Sequence, residues 1–153
     1  MDKFLQPVKG LDPVADAFSG TATSDVINLE NIIEGAFVVY KGVGTTGTST
    51  ITLEACDDVT PTTTSAIAFE YQANTTGDTY GAVTAATSTG FTTTAGSSQI
   101  YVIYVHAAKL AASGYGYVRL KATEVVDSPV LGGIMFIPLK VRNDQAIPAS
   151  RIA

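Results

Sequence analysis

From Gly42 to Ala108 the chain carries no Lys and no Arg, and the same stretch is saturated with threonine: 18 of the 21 Thr lie between Thr45 and Ser98. Inside it, and just after it, the peptides TSTITLEAC, SAIAFEYQ and SQIYVIYV have strand character. Thr, Val, Ile and Tyr suit a pleated, half-buried surface. Side chains that move protons or attack electrophiles are nearly missing from the stretch. This pattern predicts a β-rich structural protein and a poor setting for an active site.

Period-2 alternation marks strands with one face on a core. In Thr50–Cys56, Ile51, Leu53 and Ala55 share a side, opposite Thr50, Thr52, Glu54 and Cys56. In Ala66–Gln72, Ile67, Phe69 and Tyr71 alternate with Ala68, Glu70 and Gln72. Tyr115–Ala122 sets Val118, Leu120 and Ala122 inward and Tyr117, Arg119 and Lys121 outward. AFVVYK (36–41) reads as a strand ending in the flexible glycine loop GVGTTGTST. Thr79–Ala85 and Gly90–Thr94 are weaker strands. Ser24–Leu29 reads as a strand, with a helix capped by Ser24 or Asp25 as the alternative. QIYVIYV (99–105) is apolar throughout, which predicts a central strand buried on both faces. HAAKLAASG suits one or two helical turns closed by Gly114. IMFIPLKV (134–141) is a strand that Pro138 confines to a sheet edge or a bulge, because proline donates nothing to a ladder.

Seven to nine strands separated by turn signals predict a single all-β domain, an antiparallel β-sandwich or jelly-roll-like barrel. The predicted organisation is an N-terminal arm over residues 1–24, where Pro7, Gly10, Pro13 and Gly20 interrupt each apolar group, a sandwich over 25–141, and a C-terminal tail over 142–153. A disordered leader is the alternative for residues 1–24.

Charge narrows the partners. Only 15% of residues are charged while 46% are hydrophobic, against a usual charged share of about 25%. So little charge on 153 residues points to a surface partly covered by a partner, or to an extensively buried sheet. Residues 1–41, 42–108 and 109–153 carry −3, −5 and +3. An acidic body with a mildly basic last third argues against nucleic-acid binding, which needs a concentrated basic patch. The N-terminal MDKFLQPVKGLDP has no apolar core of a secretory signal, and no segment reaches the ~18 consecutive apolar residues of a membrane helix. Synthesis in the cytoplasm and no membrane partner are expected.

Reactive groups are few. His106 is the single histidine, so no multi-histidine metal site can form, and no pattern supplies it with a nucleophile and an orienting acid. Asp57–Asp58 lacks the spacing of a calcium loop and reads as a solvated turn. The glycine loop lacks the lysine of a phosphate-binding loop and runs into a strand rather than a helix. Cys56, the lone cysteine, forms no internal disulfide and reads as a small buried strand residue, although alternation puts it on the less apolar side. Asn74-Thr75-Thr76 matches a glycosylation sequon by chance. Seven Tyr and no Trp suit cores and interfaces better than a sugar-stacking platform. No catalytic residue, cofactor or metal is expected.

Strands embedded in Thr, Ala and Gly, the unit IYVIYVHAAKLAASGYGYVRLKAT, the apolar strand after it and the proline-containing tail resemble small virion proteins of tailed bacteriophages. The resemblance runs over residues 25–153 and is to the capsid decoration, or cement, type. It implies a non-enzymatic β-sandwich on the outer surface of the head, bound to the major capsid protein at capsomer junctions as a trimer or dimer. The terminal segments would then lie across neighbouring subunits, held at high effective concentration by the body. Arg142 and Arg151 are the candidate contacts to acidic shell surface, and Ile147 and Ile152 the candidate apolar anchors. A tail or head–tail connector protein is the alternative structural reading. A carbohydrate-binding or adhesin-like sandwich is the alternative of another class.

Overall fold

The computed structural model describes residues 6–142. Along them run β1 (Val8–Val14), β2 (Thr21–Thr23), β3 (Ile27–Asn28), β4 (Ile32–Gly44), β5 (Thr48–Cys56), β6 (Thr64–Ile67), β7 (Phe69–Asn74), β8 (Thr84–Ala86), β9 (Phe91–Thr92), β10 (Gln99–His106), α1 (Ala107–Ala111), β11 (Tyr117–Val126) and β12 (Val130–Val141). They form two antiparallel sheets packed as a sandwich. The first has the order β1-β12-β4-β10-β7-β8. The second has the order β2-β11-β5-β6, with β3 beside β11 and β9 beside β5.

The alternation seen in the sequence builds the core. Phe37 and Val39 of β4, Tyr101, Ile103 and Val105 of β10, and Ile134 and Phe136 of β12 point inward from the first sheet. Ile51, Leu53 and Ala55 of β5 meet them from the second, together with Val118, Leu120 and Ala122 of β11. Phe37 and Phe136 pack edge to face at 4.9 Å. Tyr71 stacks on Phe91 with centroids 3.7 Å apart, closing the core where β7 faces β9. Gly90 turns the chain onto β5 with φ of 78°, and a Cβ there would fall 1.9 Å from the Ile51 carbonyl oxygen.

The structure revises several local expectations. The run read as one strand over Ala66–Gln72 is two: β6 belongs to the second sheet and β7 to the first, and the chain crosses between them at Ala68. Its alternation survives because Ile67, Phe69 and Tyr71 all pack on the same core. The N-terminal arm is corrected for residues 6–24. β1 pairs with β12 and β2 with β11, while Ala17 and Phe18 are buried in the core. Edge position and two register shifts in β1 accommodate the prolines and glycine that read as interruptions. Strand β3 is only two residues long. The short helix is present, with Gly114 in the left-handed region after it.

Strand β12 lies between β1 and β4, so it is not an edge strand along its length. Pro138 sits beyond the last β1 partner, Phe136, and beside a register shift at Pro138/Lys140, so edge and bulge both apply there. The glycine-rich segment is not a loose loop. Gly42 and Gly44 extend β4, and β5 begins at Thr48. The connection from β4 to β5, which crosses from the first sheet to the second, is strapped by residues 96–98 through Gly96 N–H to Thr45 O, Ser98 N–H to Gly42 O, and the Ser97 hydroxyl to Gly44 O. Lys41 reaches under it. Its side chain is buried, and Nζ donates to the carbonyls of Gly47 (3.1 Å) and Thr94 (2.6 Å).

Candidate binding surfaces

β10 is central, as expected, but in this chain it is buried on one face only. Tyr101, Ile103 and Val105 enter the core, while Ile100, Val102 and Tyr104 face outward and are half-buried. Register aligns them with apolar neighbours. Met135, Val38, Val102 and Gln72 form one row across β12, β4, β10 and β7. Ile137, Ala36, Tyr104 and Glu70 form the next. A third row runs Gly133, Tyr40, Ile100 and Asn74. Tyr40 is 51% exposed, Met135 44%, and Leu131 and Leu139 extend the apolar strip along β12. Polar groups collect at the margins: the Lys9–Asp12 ion pair (3.2 Å) on β1, Glu70 and Gln72 on β7, and Glu34 with His106 at one end.

A groove of about 460 Å³ runs between β1 and the outer sides of β12 and β4, lined by Pro7, Leu11, Pro13, Tyr40, Leu131 and Met135. Gly133 makes it possible. It lies opposite Tyr40, and a Cβ there would press on the Leu11 carbonyl oxygen at 3.0 Å and on Pro13 at 3.2 Å. Isolated subunits seldom leave a contiguous apolar face of this kind in water.

The outer face of the second sheet is built differently. Thr50 and Thr92 share a hydroxyl hydrogen bond (3.0 Å). Glu54, 5% exposed, accepts from Arg119 Nε (2.8 Å) and from Lys121 Nζ on the neighbouring strand. Burial works to raise its pKa, but the bonds from Lys121 and Arg119 outweigh burial and hold the carboxyl below its ordinary value. Cys56 lies on this side and is nevertheless fully buried; burial pushes its thiol up to about 11, which keeps it in the unreactive protonated form.

The remaining reactive groups are placed as follows. His106 ends β10 with Nδ1 3.6 Å from Glu34 Oε1, both side chains about 40% exposed. Asp57 closes the turn between β5 and β6. Its carboxylate accepts from the Thr62 hydroxyl (2.7 Å) and from the N–H groups of Thr62 and Thr63, and these bonds, the Thr62 hydroxyl first, lower its pKa. Asp58 accepts from the N–H of Val59. Asn74 of the sequon is buried. Among the described residues no group of three His, Cys, Asp or Glu could hold a metal ion, and no helix is long and apolar enough to cross a membrane. Arg142 is exposed at the end of β12, its N–H bonded to the Asn31 carbonyl (2.8 Å). Ile147, Arg151 and Ile152 lie outside the described residues.

The sequence reading missed the apolar outer face of the first sheet. Its signal was present: AFVVYK, QIYVIYV and IMFIPLKV are apolar at both parities, not at alternate positions. No family model, curated protein or solved structure matches the chain.

Proposed function

We propose that the chain is a non-enzymatic structural subunit of a virus particle, a decoration protein that stabilises a phage head by binding the major capsid protein on its outer surface. One observation carries the reading: one outer face of the sandwich presents Thr, Arg, Lys and Glu, and the other presents an apolar centre with polar margins. Such a face is what an assembling subunit needs, because association is driven by apolar area and directed by a polar rim. The resemblance of residues 25–153 to cement proteins supplies the kind of assembly. The C-terminal residues supply a candidate shell contact, with Arg142 exposed at the point where residues 143–153 continue.

Co-sedimentation with purified phage heads tests this. The full chain pellets with heads. A chain lacking residues 142–153 keeps its folded circular-dichroism spectrum and binds about tenfold or more weakly. Equal pelleting of the two would remove the tail from the proposal, and failure of the full chain to bind any head would overturn it.

A further inference from the structure

We infer that the outer face of the first sheet is covered by the same face of a second copy of this chain, in a two-fold dimer whose axis runs parallel to the strands between β4 and β10. Three features of the face select that occupant.

The first is shape. The β7–β8 register pairs Tyr71 with Thr84. Continued one step, it sets Val83 beside Gln72, at the far end of the row that begins Lys9, Met135, Val38 and Val102. Val83 is 53% exposed. The apolar groove lies at the opposite end of that row, between β1 and β12. A two-fold axis along the strands exchanges the two ends: β8 of one copy lies over β1 of the other, and β7 over β12. Val83 of each copy then enters the groove of its partner. An exposed apolar side chain and an apolar hollow thus meet at both ends of the contact, the self-complementary arrangement an isologous contact requires.

The second feature is charge. The same operation brings Glu70 over Ile137 of β12 in the other copy, one strand across and two residues along from Lys9, and leaves the uncharged centre of Val38, Tyr40, Ile100 and Val102 facing itself. Apolar centre and charged rim are the anatomy of a protein interface.

The third is size. Four strands at ~4.8 Å spacing and about eight residues at ~3.4 Å give a face on the order of 500 Å². Two such faces bury roughly 1,000 Å², the lower bound for a specific contact.

The inference rests on the geometry of the face and not on the shell reading. A dimer without affinity for heads would sink that reading alone, and a head-binding monomer would sink this inference alone. Sedimentation velocity on the full chain, with no heads present, gives a dimer at micromolar concentration. Val83→Lys places a cation against the partner's Lys9 and weakens the dimer about tenfold or more. Adding Met135→Glu to that variant restores it to within about threefold. Within one chain Val83 and Met135 are four strand spacings, ~19 Å, apart, so the rescue arises only between copies. Thr52→Lys on the other sheet leaves the dimer unchanged. A monomer at ~100 μM, well above the micromolar range expected, overturns the inference. So does a trimer, a dimer indifferent to Val83→Lys, or a double variant without rescue. A dimer lost on removing residues 143–153 would assign the dimer contact to that segment instead of the face and overturn it equally.

Discussion

The two outer faces of this sandwich come from strands of similar length and the same pleat, yet they solve opposite problems. On the second sheet, β5 and β11 turn Thr50, Thr52, Arg119 and Lys121 to solvent and sink Glu54 between the two cations. On the first, β4, β10 and β12 turn out Val38, Tyr40, Ile100, Val102 and Met135. Both sheets bury an apolar inner face, so stability of the single chain does not explain the difference. What differs is the environment each face is made to meet. What separates the two faces is the placement of charge: the first sheet keeps Lys9, Asp12, Glu34 and Glu70 at the margins of an apolar centre, while the second holds Glu54, Arg119 and Lys121 in the middle of its face.

The sharpest way to break that contrast is to remove the anchor of the polar face. Glu54→Ala leaves Arg119 and Lys121 without their carboxylate. It is expected to cost about 2–3 kcal/mol in urea unfolding, below the full cost of breaking a buried pair because both cations keep partial contact with water. A cost under ~0.5 kcal/mol, ordinary for a surface change, would mean the triad does not organise that face.

A smaller effect appears with pH. The folded-state pKa values of Glu54 and Asp57 are depressed. Their stabilisation is therefore complete above the unfolded-state carboxylate values and is lost as pH falls through the lower folded values. Unfolding midpoints should fall through the acid range, and Glu54→Gln should flatten that limb, leaving the Asp57 part. A limb of unchanged steepness in the variant would assign the acid sensitivity elsewhere.

Smallest in stability, but most direct for the comparison, is an exchange of character. Met135→Ser and Thr52→Val should each change stability by no more than about 0.5 kcal/mol. At protein concentrations low enough to keep the chain monomeric, they should move the binding of a hydrophobic dye in opposite directions, down for Met135→Ser and up for Thr52→Val. Equal dye binding by the two variants would erase the distinction between the faces.

Much of the architecture was legible because the core obeys a simple period. Ile51, Leu53 and Ala55, and Val118, Leu120 and Ala122, were placed inward by alternation alone, and they are. Three things were less legible, for physical reasons. Continuous alternation through Ala68 does not say that the chain has changed sheets, since a residue facing the shared core looks alike from either side. The N-terminal strands are short, irregular edges, where proline and glycine are tolerated, so their partners in β11 and β12 left no periodic trace. An apolar run such as QIYVIYV reports that both faces shun water without saying whether the second is covered by this chain or by another. For the candidate surface, that last ambiguity was the signal.

The pairing of β1 with β12 and of β2 with β11 has a consequence for the order of events during synthesis. Strands β1 and β2 leave the ribosome well before their partners β12 and β11 and find no ladder until these arrive, and such distant contacts slow folding. Until β12 arrives, β1 has no seat and the groove beside Gly133 has no floor. The outer face of the first sheet is therefore complete only once β12 has joined β1 and β4, and any contact made through that face must wait for it.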